Sequence, residues 1–159
     1  MTAVLIALAV SVPAVARASD GAINGVFRAT SNGDWAKTNE VFIDEASTVS
    51  TWSVTSSCVN PIECSGEVAS DQGWTAELFR HNEIWYVKRE VPKWQPCPDG
   101  TTAPGKQTYM FYPIDVATGQ VEFLSTTFTG KNRTAGSSGA CGINKALEIE
   151  LPFFLVKIG

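Results

Sequence analysis

From residue 19 onward the apolar side chains of this sequence recur at every second position, and nowhere do they hold the three-and-four spacing of an amphipathic helix for ten or more residues. Alternation in twos sends successive side chains to opposite faces of an extended strand, so the chain must bury sheet faces rather than helix stripes. In residues 147–155, Leu147, Ile149, Leu151, Phe153 and Leu155 share one face, while Glu148 and Glu150 take the other. Pro152 lacks a backbone donor and is expected at an edge or bulge. In residues 84–91, Trp85, Val87 and Val91 stand together against Tyr86, Lys88 and Glu90, and Trp52 and Val54 share a face in residues 48–57. Further strands are expected at 25–30, 41–44, 66–70, 74–79, 107–114 and 121–129. Turn signals separate them at Asn32-Gly33, Asp71-Gln72-Gly73, His81-Asn82, Pro98-Asp99-Gly100 and Thr118-Gly119. Roughly eight to ten strands so spaced predict an all-β fold, an antiparallel barrel of the lipocalin or calycin kind, with a β-sandwich as the alternative.

Residues 3–16 form an uncharged, largely apolar run followed by Ala16-Arg17-Ala18, the small-residue pattern that a signal peptidase reads. Cleavage after Ala18 is expected, leaving residues 19–159 as a single disulfide-stapled domain. The run is shorter than the roughly 20 residues of a membrane span and contains Pro13, so no stable anchor is expected after cleavage. Only Met1 and Thr2 precede it, so the basic residue that opens such signals is expected upstream of the given start. The mature chain should be secreted, or held loosely at the cell envelope. The full chain's 12 basic and 16 acidic residues include no like-charge run longer than Lys88-Arg89, which excludes the clustered basic face that nucleic acid requires.

Export also explains the cysteines. Cys58, Cys64, Cys97 and Cys141 form an even set in a chain bound for an oxidising compartment, so two disulfides are expected, with three pairings open. Cys58 with Cys64 is favoured, because the Pro61-containing loop between them can bring their Cα atoms within the roughly 4.4 to 6.8 Å that a disulfide needs. Cys97 then pairs with Cys141. Zinc is disfavoured, since four-cysteine sites come as two close pairs and these last two have no near neighbour.

Catalytic constellations are scarce. His81 is the one histidine, in what reads as a hairpin turn. Gly136-Ser137-Ser138-Gly139-Ala140 has the wrong register for a nucleophile elbow. Asp44, Glu45 and Asp71 offer the carboxylates a glycosidase would need. Gly130-Lys131-Asn132 lacks the spacing of a phosphate loop, and Asn132-Arg133-Thr134 matches a glycan acceptor. No catalytic residue, metal or cofactor is assigned.

The aromatic inventory is rich: five Trp, three Tyr and eight Phe. Such rings fill a core or line a pocket, and a barrel of about eight strands can hold one small ligand. Residues 109–112 place aromatic groups on both faces of one strand, so one face needs cover from outside the core. Trp52, Trp74, Trp85, Tyr109, Phe111 and Tyr112 are the candidate ligand or partner surface. Two stretches, 96–106 and 130–142, read as long loops that the second disulfide ties together at one end of the domain. The expected function is non-enzymatic: a monomer binding a small apolar ligand or an envelope component. The alternatives are an exported protein–protein interaction module and, behind it, an extracellular hydrolase.

Ser31-Asn32-Gly33-Asp34-Trp35-Ala36-Lys37-Thr38-Asn39, Cys64-Ser65-Gly66, Ser70-Asp71-Gln72-Gly73-Trp74, Trp85-Tyr86-Val87-Lys88-Arg89, Cys97-Pro98-Asp99-Gly100 and Ser138-Gly139-Ala140-Cys141-Gly142 are similar to segments of small exported mycobacterial proteins with no settled activity. The resemblance runs over nearly all of the chain after residue 18. It implies an actinobacterial, secreted or envelope-associated β domain, agrees with two disulfides, and carries over no catalytic residue.

Overall fold

A computed structural model describes residues 21–159. The expected export signal, residues 1–18, lies outside the described residues. Ten strands follow one another: β1 (Gly25–Ser31), β2 (Lys37–Thr38), β3 (Val41–Phe42), β4 (Thr48–Asn60), β5 (Glu63–Ser70), β6 (Thr75–His81), β7 (Ile84–Pro96), β8 (Thr102–Pro113), β9 (Thr127–Gly136) and β10 (Glu148–Lys157). β4 to β10 pair in sequence order and β1 joins β4 to β10, so eight antiparallel strands close into a barrel. The short β2–β3 hairpin hangs on β10 outside it, pairing at Ile149 and Glu150. Barrel, not sandwich, is therefore the architecture.

Closure explains how Pro152 is accommodated. On one flank β10 pairs with β2 at residues 149–150 and with β1 from Phe153 onward, and Pro152 falls between the two pairings. Its missing N–H thus costs no ladder bond there. Gly130 serves closure differently: a Cβ on it would lie 1.8 Å from the Met110 carbonyl oxygen, so only glycine lets β9 approach β8 this closely.

The alternation sends Phe27, Trp52, Val54, Val68, Leu78, Trp85, Val87, Phe111, Phe128, Phe153 and Leu155 inward, each at most 4% exposed. Trp52 sits at their centre, its ring 4.9 Å from Tyr109, 5.3 Å from Phe153 and 5.5 Å from Trp74 between centroids. Burial of each such side chain stabilises by about 1.5–3 kcal/mol, and an eight-stranded barrel is just wide enough for these groups to fill it. Outward positions carry Ser53, Thr55, Ser57, Glu67, Glu77, Lys88 and Glu90, all exposed. Apolar inside and polar outside is the reverse of a membrane-spanning barrel.

Two expected loops are shorter than the sequence implied. β7 extends to Pro96 and β8 starts at Thr102, leaving a tight turn in which Asp99 accepts from the backbone N–H and the hydroxyl of Thr101 at 2.9 and 2.6 Å. The stretch expected as a loop from 130 is strand β9 as far as Gly136. The strand expected at 121–129 begins only at Thr127. Before it, Asp115 accepts from the N–H groups of Ala117 and Thr118 at 2.7 and 2.9 Å and folds the chain into turns, with one isolated bridge from Ile114 to Val121. The third strand likewise stops at Phe42.

Both disulfides link the expected partners. Cys58 and Cys64 face each other in register across the β4–β5 hairpin with Cα atoms 3.9 Å apart, tighter than the expected window. Cys97 and Cys141, with Cα atoms 5.0 Å apart, tie the β7–β8 turn to a 3-10 turn at Ala140–Gly142.

Candidate functional site

The packed interior stops short of one end of the barrel, which we term the near end: the end carrying the β5–β6 and β7–β8 turns and the 32–47 and 137–147 connections. There a chamber of about 250 Å³ opens between the inward positions of β7 to β10 and the Gln72–Trp74 turn. Its floor is Tyr109 and Trp74, whose rings stack 6.3 Å apart with planes 16° from parallel, resting on Trp52. Ile149 and Leu151 of β10 form an apolar side, and Glu45 and Ala46 of the connection after β3 close it together with Thr48 at the start of β4.

The opposite side is polar although it lies inside the barrel. Asn132 and Thr134 are each 5% exposed. Gln107 Nε2 donates to Asn132 Oδ1 at 3.0 Å, and Asn132 Nδ2 donates to Ser31 Oγ at 3.0 Å, a chain that crosses from β8 through β9 to β1. Arg89 completes this side. Its guanidinium lies over the Trp74 ring, 4.5 Å from the centroid, and its buried Nε has no hydrogen-bond partner among the described residues. The ion pairs among those residues, Lys131 with Glu150 and Arg133 with Glu148, do not include it. Burial lowers the Arg89 guanidinium from its usual value, yet arginine stays charged. Burial also pushes the Tyr109 hydroxyl up to about 12, against the opposing pull of the Arg89 charge, so Tyr109 is a neutral donor across the physiological range.

Trp94 walls the rim. A register shift between Val91 and Gln95, with Lys93 in the left-handed region at φ 54°, turns β7 so that the Trp94 indole lies over Gly105 and Gly136, which face each other across β8 and β9. A Cβ at Gly105 would come within 2.7 Å of that ring. The Cys97–Cys141 disulfide pins the turn just beyond it.

Of the aromatic candidates, Trp74 and Tyr109 line the chamber, whereas Trp52, Trp85 and Phe111 are at most 1% exposed within the packed interior. Tyr112 points outward, 36% exposed. Residues 109–112 therefore do not form a continuous exposed aromatic strip. The four hydrolase candidates do not gather in one cleft: Asp44, Glu45 and Asp71 belong to the near end, while His81 closes β6 at the far end. No group of three or more metal-ligating side chains gathers among the described residues. Asn132 is buried and hydrogen-bonded inside the barrel, so the Asn-Arg-Thr match is no accessible glycan acceptor in this fold.

Sequence reasoning passed over Arg89, Trp94, Gln107, Asn132 and Thr134. For Arg89 the signal was present: it occupies the inward position between Val87 and Val91, where alternation calls for an apolar residue.

No family model and no curated protein matches the sequence. Among solved structures the chain is similar to the monomer form of the Mycobacterium tuberculosis PknI sensor domain, with a TM-score of 0.60, 13% identity, and coverage of 87% of this chain and 88% of that one. The likeness establishes the fold.

Proposed function

We propose that this chain is an extracytoplasmic, non-enzymatic binding module that takes a small ligand, or the end group of a cell-envelope component, into the near-end chamber. One observation carries the reading: where the aromatic filling ends, Arg89, Gln107, Asn132 and Thr134 on three consecutive strands line open space, and the buried Nε of Arg89 has no hydrogen-bond partner among the described residues. The fold shared with a domain described as a sensor supports a binding role. Two disulfides favour an oxidising compartment, in keeping with residues 1–18 acting as a cleaved export signal. The mature domain acts as a monomer. The ligand is smaller and more polar at one end than a purely apolar guest of the lumen, because aromatic side chains already fill the lumen.

Native mass spectrometry of the protein recovered from a secreting host, compared with denaturing non-reducing spectra, tests this. A discrete excess in the native mass, lost when Trp74 or Arg89 is replaced, is the expected result. Identical masses, with no response to added small molecules, would overturn it.

A second reading rests on the β2–β3 hairpin and the 3-10 turn at Gly33–Trp35 that precedes it. Trp35 and Phe42 are 63% and 64% exposed and meet edge to face at 6.5 Å, with Lys37 over Phe42. An exposed aromatic pair outside the barrel favours a protein partner there. Recovery of the same binding partners by a Trp35→Ser, Phe42→Ser variant would count against it.

A further inference from the structure

Resting on the reading of the near-end chamber as a binding site, we infer that its ligand is a small carboxylic acid with an apolar or aromatic body, held by a charge-assisted pair between its carboxylate and Arg89. The cation–π contact with Trp74 occupies the face of the guanidinium and leaves its in-plane N–H fork for an acceptor. Nε, on one edge of that fork, is buried and unpartnered. An arginine edge matches two carboxylate oxygens in one plane, and a buried donor left unsatisfied is costly, so an oxyanion is the chemistry this edge would bind most strongly. Glu45 is the one carboxylate on the chamber lining and forms no ion pair with Arg89. Tyr109, neutral and on the same lining as Arg89, adds a hydroxyl donor. The rest of the wall is Trp94, Ile149 and Leu151, which suits an apolar body, and about 250 Å³ admits a single ring rather than a long chain.

Benzoate, benzamide and benzylamine share a ring and differ in charge. Each would be titrated into the 15N-labelled domain while the five tryptophan indole N–H signals are followed. The expected result is that benzoate shifts the Trp74 and Trp94 signals and binds about tenfold or more tighter than benzamide, as a charge-assisted hydrogen bond allows. Benzylamine should not bind. Arg89→Gln should keep the folded spectrum and bring benzoate down to the affinity of benzamide, with Arg89→Lys intermediate. Equal binding of benzoate and benzamide by the unaltered protein would overturn the carboxylate assignment and leave the chamber standing. Silence of Trp74 and Trp94 toward all three probes, or a response confined to Trp35 or Trp85, would overturn the chamber as well.

Discussion

Two inward-facing arginines, one near each end of the barrel, have opposite fates. At the far end Arg80 is 7% exposed and its Nε, like that of Arg89, has no partner among the described residues, but its Nη1 donates to the Pro61 carbonyl at 2.9 Å and its guanidinium lies 5.9 and 5.8 Å from the rings of Trp85 and Phe123. At the near end Arg89 also covers a tryptophan, but no backbone carbonyl or second ring engages it, and it faces the chamber. The far end has hollows of about 150 and 240 Å³, walled in part by the exposed Leu124 and Ile62. Arg80 is the polar anchor beside the larger hollow, and the fold already uses it. The same side chain is thus a plug at one end and an offered donor at the other. What separates them is the neighbouring chain: Pro61 and Phe123 engage the Arg80 guanidinium, whereas the residues across the chamber from Arg89 form no hydrogen bond or ion pair with it.

The two disulfides divide in the same way and give the largest expected effect. Replacing Cys97 and Cys141 together by Ser should lower unfolding free energy by about 4 kcal/mol in denaturant titrations, because the link closes a long segment. Replacing Cys58 and Cys64, which only staples a hairpin, should cost about 2 kcal/mol. Equal losses would mean that the near-end loops hold their positions without the tether.

The arginines should differ next. Arg80→Ala strands the Pro61 carbonyl and opens a cavity, and should cost about 2–3 kcal/mol by thermal or chemical unfolding. Arg89→Ala removes a group with few commitments and should change stability by less than about 0.5 kcal/mol. A loss at Arg89 as large as that at Arg80 would make it a structural residue and break the comparison.

Alkaline stability sharpens it further. Because the Tyr109 hydroxyl is raised to about 12 in the folded state, the unfolded chain releases that proton first. The stability tied to Tyr109 is complete below about pH 10, the ordinary tyrosine value, and falls as pH rises through about 12. Tyr109→Phe should flatten that part of the pH–stability curve. Retention of the full alkaline loss in this variant would place its origin elsewhere, in the other tyrosines or the lysines.

Much of the barrel was legible in the sequence because alternation and turn residues are local signals. Leu151, Phe153 and Leu155 share a face of β10 as their spacing requires, and the in-register Cys58 and Cys64 follow from a short loop between strands. Strand β9 was not legible. Beyond Phe128 its inward positions hold Gly130, Asn132 and Thr134, which read as a polar loop until the fold reveals that Asn132 and Thr134 line a chamber. Residues 121–124 misled in the opposite sense, since Val121 and Phe123 alternate as in a strand but the Asp115 turn keeps them out of the barrel. The same polar inward residues that hid β9 create the candidate site, so the region hardest to read as structure is the one that carries the functional hypothesis.

The contrast between the arginines is most directly tested by dicarbonyl modification of the native protein with peptide mapping, using the exposed Arg28 and Arg133 as internal references. Arg89 should react at a rate approaching theirs and be protected by benzoate, while Arg80 stays unmodified until the protein unfolds. Modification of Arg80 as fast as Arg89, or an Arg89 inert in the folded protein, would contradict the account.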